Sequence, residues 1–312
     1  MSRALKDKDD VIPETKKKIK ECAEEMGYVV NASASLLRSG ESRLIALLVD
    51  NLASPENARF VDEATACAEA VGYSIILFRT NGREENEKKA ILSALSRRTD
   101  GVLVRSKKPS EDNLKLLRNA EIPLVFVGGE TGADSSVEID YIRGGFLAAE
   151  HLIMNGHDKI LVIGTNENSY AMANMCDGIK SAFMYGNRII DDSMIKYVSD
   201  DPRRQAEEID EILNRIAGFS AVICSDDIMA LQVIYLLKKR GLAVPEDVSV
   251  IGFGNVQQRI LTYPLLTTVE ETGEKESVAS VELLLDKING KESENRIIPV
   301  KLVKRESTSA RR

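Results

Sequence analysis

The chain has 312 residues, of which 43% are hydrophobic and 29% are charged, and its formal net charge is -7. This length allows two lobes that each bury a hydrophobic core. The negative charge argues against a body that coats nucleic acid, so any DNA contact has to be local. No apolar run approaches the roughly 20 residues of a membrane helix and no signal peptide is apparent, so we expect a cytoplasmic protein with no membrane partner.

The cysteines are widely separated along the chain: Cys22, Cys67, Cys176 and Cys224. Because no Cys-x-x-Cys pair is present, the pattern favours buried thiols over a disulfide framework or a zinc site. The sequence also lacks a phosphate-binding loop, a Gly-x-Gly-x-x-Gly motif and a Gly-x-Ser-x-Gly motif. We therefore expect no metal, no cofactor and no catalytic residues.

The predicted elements begin with a helix-like run that ends near Gly27, followed by a polar segment at 31–40. From Arg43 onward, short aliphatic runs alternate with amphipathic stretches, which is typical of parallel strands joined by crossover helices. A first series has strands at 44–49, 73–78, 101–104, 124–127 and 137–139 and helices at 55–71, 84–97 and 113–120. A long helix at 141–155 follows. A second series has strands at 160–163, 194–197, 221–224, 248–253 and 266–269 and helices at 170–185, 203–216 and 228–240.

Two such series predict an α/β protein with two doubly wound parallel-sheet lobes, and Gly156-His157-Asp158 is the natural crossing between them. A helix at 275–289 should return to the first lobe, and a strand at 297–302 should finish near the second. The predicted domains are 1–40, then 41–158 with 270–295, and 159–269 with 296–309. In open sheets of this type, ligands bind beyond the carboxyl ends of the strands, which here face each other across a cleft.

Several short motifs occur in a fixed order along the chain. They are LLV at 47–49, SP at 54–55, Asp140 with GGFLAAEHL at 144–152, NGH at 155–157, SDDIMA at 225–230, GLAVPEDVSVIGF at 241–253, PLLTTV at 264–269 and LVKREST at 302–308. Together they resemble the lactose/galactose repressor family. The resemblance implies a periplasmic-binding-protein-like clamshell preceded by an all-α helix-turn-helix headpiece. It also implies a homodimeric transcriptional regulator whose response to a small effector controls its binding to operator DNA.

By the same resemblance, the chain begins within the headpiece, so that residues 1–40 form only part of it and the hinge. Ser2 and Arg3 would end the recognition helix. The third helix would start near Val11, with a buried face that consists of Ile19, Cys22, Ala23 and Met26. Since the helix on which this face normally packs is not in the sequence, we expect residues 1–40 to be disordered or only partly helical in the free protein.

The hinge at 31–37 resembles a segment that folds on DNA, and the implied contacts are Asn31, Ala34 and Leu37. Leu37 would wedge into the minor groove, and the alternative is an ordinary linker residue. The three lysines at 16–18 are either a solvated helix face or phosphate contacts.

The resemblance also implies an effector site between the lobes. The candidate residues are Ser54, Glu56, Asn57, Asn166, Ser169, Met175, Asp200, Asp227 and Asn255. Asp226 and Asp227 follow a strand and open a helix, so helix capping is the alternative role for this pair. An acidic, arginine-poor cleft would favour a neutral polyhydroxylated effector such as a sugar, or a cationic one, over a phosphate or carboxylate.

Alternative functions share this fold. An enzyme is one, because doubly wound folds host many chemistries, and a transport-type binding protein is another, although it would need an export signal. A ligand sensor that never binds DNA is favoured by the partial headpiece, and a cleft that binds no ligand tightly is the remaining alternative. For the dimer interface, the sequence favours the helices at 55–71 and 84–97 together with the returning helix.

Overall fold

The computed structural model describes residues 12–26, 41–106, 109–129, 135–165, 169–199, 201–255, 263–273, 275–292 and 294–311. The chain divides into two compact units, Met1–Arg43 and Leu44–Arg312. Among the described residues, no helix is both long enough and apolar enough to cross a bilayer.

In the first unit, helix α1 spans Pro13–Glu25 and confirms the helix predicted there. Its predicted buried face is only partly right. Ala23 is 7% exposed, but Met26 is 75% exposed and Cys22 is exposed. Residues three or four positions apart share a helix face, so Cys22 and Met26 lie together on the solvent side. The Cys22 Sγ donates to the Met26 Sδ at 3.7 Å, and this thiol is not buried as expected.

The second unit contains two parallel-dominated sheets with helices on both faces, which confirms the predicted fold class. The sheet of the first lobe has the order β11-β5-β4-β3-β1-β2. Its strands are β1 (Leu44–Val49), β2 (Ser74–Arg79), β3 (Gly101–Arg105), β4 (Leu124–Val127), β5 (Ser135–Ile139) and β11 (Arg296–Ile298). Its helices are α2 (Pro55–Ala70), α3 (Glu84–Ser96), α4 (Glu111–Asn119) and α9 (Glu276–Ile288).

The sheet of the second lobe has the order β12-β10-β9-β8-β6-β7, in which only the pairing of β10 with β12 is antiparallel among the described strands. Its strands are β6 (Ile160–Thr165), β7 (Ile195–Val198), β8 (Ala221–Cys224), β9 (Ser249–Phe253), β10 (Thr267–Glu271) and β12 (Val300–Val303). Its helices are α5 (Tyr141–Met154), α6 (Tyr170–Tyr185), α7 (Pro202–Arg215) and α8 (Asp227–Lys239), and a short 3-10 helix spans Asp192–Met194.

The inner strands of each sheet are nearly continuous aliphatic runs and are buried on both faces, whereas the edge strand β2 is partly exposed. Along β1, Ile45 and Leu47 pack under α2 and α9, whereas Ala46 and Leu48 pack under α3 and α4. The second sheet packs α5 and α6 on one face and α7 and α8 on the other. Helix α9 therefore packs in the core of the first lobe, and β12 completes the second sheet only afterwards.

The lobe boundaries differ from the prediction at two places. Helix α5 packs against α6 in the core of the second lobe, so the chain crosses at Asp140 rather than at 156–158. The single strand predicted at 297–302 is two strands, and β11 pairs with β5 of the first lobe while β12 pairs with β10 of the second. Pro299 separates them, because a proline has no N–H to continue a ladder.

The contact between α5 and α6 depends on two glycines that let the helix backbones approach closely. A Cβ on Gly145 would lie 2.1 Å from the Met175 carbonyl oxygen, and a Cβ on Gly178 would lie 1.9 Å from the Ile142 carbonyl oxygen. Neither distance is tolerable for a side chain, so both positions require glycine. This packing holds α5 on the second lobe.

Candidate functional site

The wall of the cleft on the first lobe is built around the start of α2. Ser54 caps this helix, since its Oγ accepts a hydrogen bond from the Asn57 N–H at 3.4 Å. Pro55 and Glu56 follow in the first turn, where a fixed φ and a negative charge both favour helix initiation. The Asn57 Nδ2 donates to the Asn51 carbonyl at 2.9 Å. These contacts fix the backbone of the first turn of α2, in which Glu56 lies.

Arg105 is the last residue of β3, and its side chain is only 15% exposed. Its Nη1 donates to the Glu276 carboxylate at the start of α9, and its Nε donates to the Asn57 Oδ1 at 3.0 Å. The guanidinium carbon lies 4.6 Å from the centre of the Phe60 ring, within the range of a cation–π contact. One arginine thus joins three elements of this wall.

The wall on the second lobe is formed where β8, β9 and β10 end. Asp226 caps α8 by accepting from the Met229 N–H at 2.7 Å, so the capping alternative holds for this residue. Asp227 is 0% exposed, and its Oδ1 accepts from the Thr268 Oγ1 at 2.5 Å. Asn255 is 5% exposed, and its Oδ1 accepts from the Arg305 Nη2 at 2.6 Å.

The two walls meet directly at Gly254, which follows β9. The Arg59 Nη1 donates to the Gly254 carbonyl at 3.2 Å, and its Nη2 donates to the Glu271 Oε1 at 2.8 Å. The Glu56 Oε1 lies 3.0 Å from the position that a Cβ on residue 254 would occupy. Gly254 also has a φ of 113°, so a side chain there would be both strained and in contact with Glu56.

A second contact between the lobes lies at the start of α6. Ser169 caps this helix, since its Oγ accepts from the Met172 N–H at 3.1 Å. The hydroxyl of Tyr170 donates to the Glu138 Oε2 on β5 at 2.5 Å, and the Ser136 Oγ donates to the other carboxyl oxygen at 2.8 Å. Ser169 therefore lies beside a contact that joins the lobes.

The charged groups of the cleft shift one another's pKa values. The pKa of Glu56 is raised from 4.5 to about 7, chiefly by burial and also by the facing carboxylate of Asp226, while Arg105 and Arg59 lower it. Burial also raises the pKa of Glu276 despite its ion pair with Arg105. The pKa of Tyr141, at the start of α5, is raised by burial and by Glu276. These groups share one poorly solvated region.

The predicted effector residues divide into four groups, one of which is Ser169 alone, beside the contact between Tyr170 and Glu138. Ser54, Glu56, Asn57, Asp227 and Asn255 lie on the two walls that meet at Gly254. Met175 is 2% exposed and fills the core of the second lobe, so its side chain packs inside the lobe rather than lining a wall. Asn166 and Asp200 lie outside the described residues, as do the predicted DNA contacts Ser2, Arg3, Asn31, Ala34 and Leu37.

The expectation of an arginine-poor cleft is wrong, because Arg59 and Arg105 lie on its first wall. Tyr141 and Glu276 were also not predicted. A signal for Arg105 exists in the sequence, since it is the polar residue that ends the buried run at 101–105. Within the described ranges, no three His, Cys, Asp or Glu side chains converge in a way that could hold a metal ion.

Two doubly wound lobes whose polar walls meet at the carboxyl ends of the strands define a clamshell protein that binds a small solute. The model of periplasmic binding proteins and the sugar binding domain of the LacI family matches residues 42–306. The HTH-type transcriptional repressor PurR of Aliivibrio fischeri is 30% identical over 304 residues, which cover 95% of this chain and 90% of the repressor. The chain belongs to the LacI family of transcriptional regulators.

Two solved structures extend this comparison. The complex of the transcriptional regulator CelR with cellobiose has a TM-score of 0.78 and 26% identity, and the match covers 98% of this chain and 94% of that one. A periplasmic binding protein/LacI transcriptional regulator from Alkaliphilus metalliredigens, complexed with D-xylulofuranose, has a TM-score of 0.74 and 28% identity. That match covers 85% of this chain and 99% of that one.

Proposed function

We propose that this regulator is a repressor that binds a polyhydroxylated effector between its lobes and couples cleft closure to the affinity of its headpiece for operator DNA. The observation that carries the proposal is the meeting of the two walls at Gly254, where Arg59 and Glu56 of the first lobe contact the second. A solute seated there contacts both lobes, so it binds the closed form more tightly than the open one. Such differential binding shifts the equilibrium between two conformations.

A sugar is the supported class of effector because the relatives CelR and the A. metalliredigens regulator are complexed with cellobiose and D-xylulofuranose. Carboxylate and amide oxygens also accept hydroxyl hydrogen bonds well. The proposed contacts are Glu56 and Asn57 on the first wall and Asp227 and Asn255 on the second. The relatives are regulators of transcription, and we propose a role without catalysis, in the cytoplasm where the chromosome lies.

A homodimer is proposed because the first lobe exposes apolar side chains at its edge. Leu77 on edge strand β2 is 36% exposed, Val71 after α2 is 50% exposed and Leu92 on α3 is 49% exposed. Two copies that bury these side chains against each other would place two headpieces on a pseudo-palindromic site. The headpiece contacts proposed for that site remain Ser2, Arg3, Asn31, Ala34 and Leu37.

The test is fluorescence anisotropy of the full chain with DNA fragments from the region upstream of its own gene. The proposal predicts one fragment bound at least about a thousandfold more tightly than random DNA. It also predicts that Arg3→Ala weakens binding about tenfold. Lys239→Ala, which removes an exposed charge at the end of α8 and outside the proposed dimer interface, is the matched control and should leave binding unchanged. A chain that binds effector but no DNA would instead support a sensor that acts through protein contacts.

A further inference from the structure

Glu276 carries a buried oxygen that the protein itself does not satisfy. The residue is 3% exposed, its Oε2 accepts from Arg105, and its Oε1 has no hydrogen-bond partner. This Oε1 faces Gly128, just beyond β4, and a Cβ on Gly128 would lie 3.6 Å away. The Arg105 Nη1 lies 3.8 Å from the same point, so glycine leaves this buried ion pair without a side chain over it at the carboxyl edge of the sheet. A buried carboxylate oxygen without a donor is costly, so the site favours a ligand that donates a hydrogen bond.

Glu56 is a second carboxyl group on the same wall. It flanks Arg105 together with Glu276, and both carboxylates raise the pKa of that arginine against the effect of its burial. Glu56 is ionised only in part near neutral pH, since burial and Asp226 raise its pKa to about 7.

The described groups around these two residues have an excess of negative charge. The carboxylates of Asp226 and Asp227 raise the pKa of Glu56, and that of Glu271 raises the pKa of Glu276. The guanidinium groups that oppose them are those of Arg59 and Arg105, and each already binds one carboxylate, Glu271 and Glu276 respectively. A positive charge brought into this region would favour the ionised forms of the carboxyl groups, whereas another negative charge would be repelled by them.

We propose that the effector of this regulator carries a protonated amino group, which binds against the carboxyl groups of Glu56 and Glu276. An ammonium group has three N–H donors and no acceptor, so it satisfies the Glu276 Oε1 and offsets the charge of Glu56 together. A neutral hydroxyl group donates a hydrogen bond to the Glu276 Oε1 but does not offset the charge of Glu56. A carboxylate or phosphate group does neither. The inference rests on the proposed function, since the site is the same cleft, and it narrows the effector to an amino sugar or a related polyhydroxylated amine.

The test compares hexoses that differ in one charged group. Isothermal titration calorimetry on the full chain at pH 7 would use D-glucosamine, D-galactosamine and D-mannosamine, each against its neutral hexose and the matching uronate. At least one amino sugar should bind about tenfold or more tightly than its neutral partner, which is a difference in Kd that calorimetry resolves. The uronates should bind most weakly. Glu56→Gln should remove most of the preference for the amine, and Glu276→Gln should reduce it.

Glu69→Gln is the matched control for Glu56→Gln. Because Glu69 is exposed on the same helix, this variant should keep the preference for the amino sugar.

A second measurement separates a charge contact from a structural effect. An ammonium group lowers the pKa of Glu56, so binding at pH 6, where the amino group of the sugar is already protonated, should release protons, and the binding enthalpy should differ between phosphate and Bis-Tris buffers. This dependence on the buffer should be absent in Glu56→Gln.

Three results would overturn the proposal. They are neutral hexoses or uronates that bind as tightly as their amino partners, no binding by any of the amino sugars, and full retention of the preference in Glu56→Gln. Because these titrations contain no DNA, they are independent of operator binding. A chain that binds an amino sugar but no DNA would contradict the repressor function while supporting this inference. A chain that binds its operator but prefers no amino sugar would support the repressor function and contradict this inference.

Discussion

Replacing Glu56 by glutamine should make the protein more stable at alkaline pH while leaving its stability at acidic pH unchanged. The folded state raises the pKa of this carboxyl group from 4.5 to about 7, so the native protein favours the protonated form. Wild type therefore loses stability as the pH rises from 4.5 through about 7. Glutamine resembles the protonated carboxyl group in shape and does not titrate, so this loss should disappear in the variant.

The magnitude follows from the size of the pKa change. A rise from 4.5 to about 7 corresponds to ~3 kcal/mol at ~1.4 kcal/mol per pH unit, and partial exposure to solvent reduces this to ~1–2 kcal/mol. At pH 8 the variant should exceed wild type by this amount in its free energy of unfolding. In a chain of 312 residues, this corresponds to a Tm increase of about 1.5–3 °C.

The assay is urea unfolding of the full chain at pH 5 and pH 8, with thermal melts at the same pH values. Glu69→Gln on the same helix serves as the control and should follow wild type at both pH values, because that side chain is exposed. Parallel pH profiles for wild type and Glu56→Gln would refute the reasoning, since they would show that Glu56 is solvated in the native state.

Three further predictions address packing, protonation and assembly. Gly145→Ala should lower the free energy of unfolding by at least ~2 kcal/mol, because its Cβ would lie 2.1 Å from the Met175 carbonyl oxygen. Gly129→Ala, with nothing within 4 Å, should change it by less than ~0.5 kcal/mol in the same urea titration. Burial lowers the pKa of His151 from 6.5 to about 4, so the native state favours the neutral ring and this residue contributes a loss of stability as the pH drops below 6.5. After screening by solvent this contribution is ~1 kcal/mol, and the change in unfolding free energy from pH 7 to pH 5 should differ by that amount between His151→Gln and wild type. Leu77→Glu should convert dimers to monomers in analytical ultracentrifugation, and an unchanged sedimentation coefficient would contradict the proposed interface.

The order of the elements could be predicted from the sequence because each buried strand is a short aliphatic run that ends in a turn. The lobe to which α5 belongs could not be predicted in this way. Its amphipathic pattern gives a buried face but not the partner, and the partner is fixed by Gly145 and Gly178, which are 33 positions apart in the printed sequence. Close packing of two helices through glycines depends on three-dimensional register, which periodicity does not contain.

The candidate site could also be predicted only in part from the sequence. Glu56 and Asn57 could be proposed from the resemblance and from their place after the first strand. Arg105 and Glu276 come together from segments 171 positions apart, so their ion pair has no signature in either local segment. The terminal strand divides at Pro299, and this could have been anticipated, because a proline within a predicted strand argues against an uninterrupted ladder.

The most direct test of a ligand-controlled repressor is the affinity of the full chain for its operator with and without an effector. Fluorescence anisotropy would measure Kd for the tightest DNA fragment in the absence and presence of the sugar that binds most tightly in calorimetry. The account predicts a change of about fivefold or more in either direction, and Glu56→Gln should reduce it. An operator affinity that is the same with and without a saturating concentration of that sugar would contradict the coupling between the cleft and the headpiece.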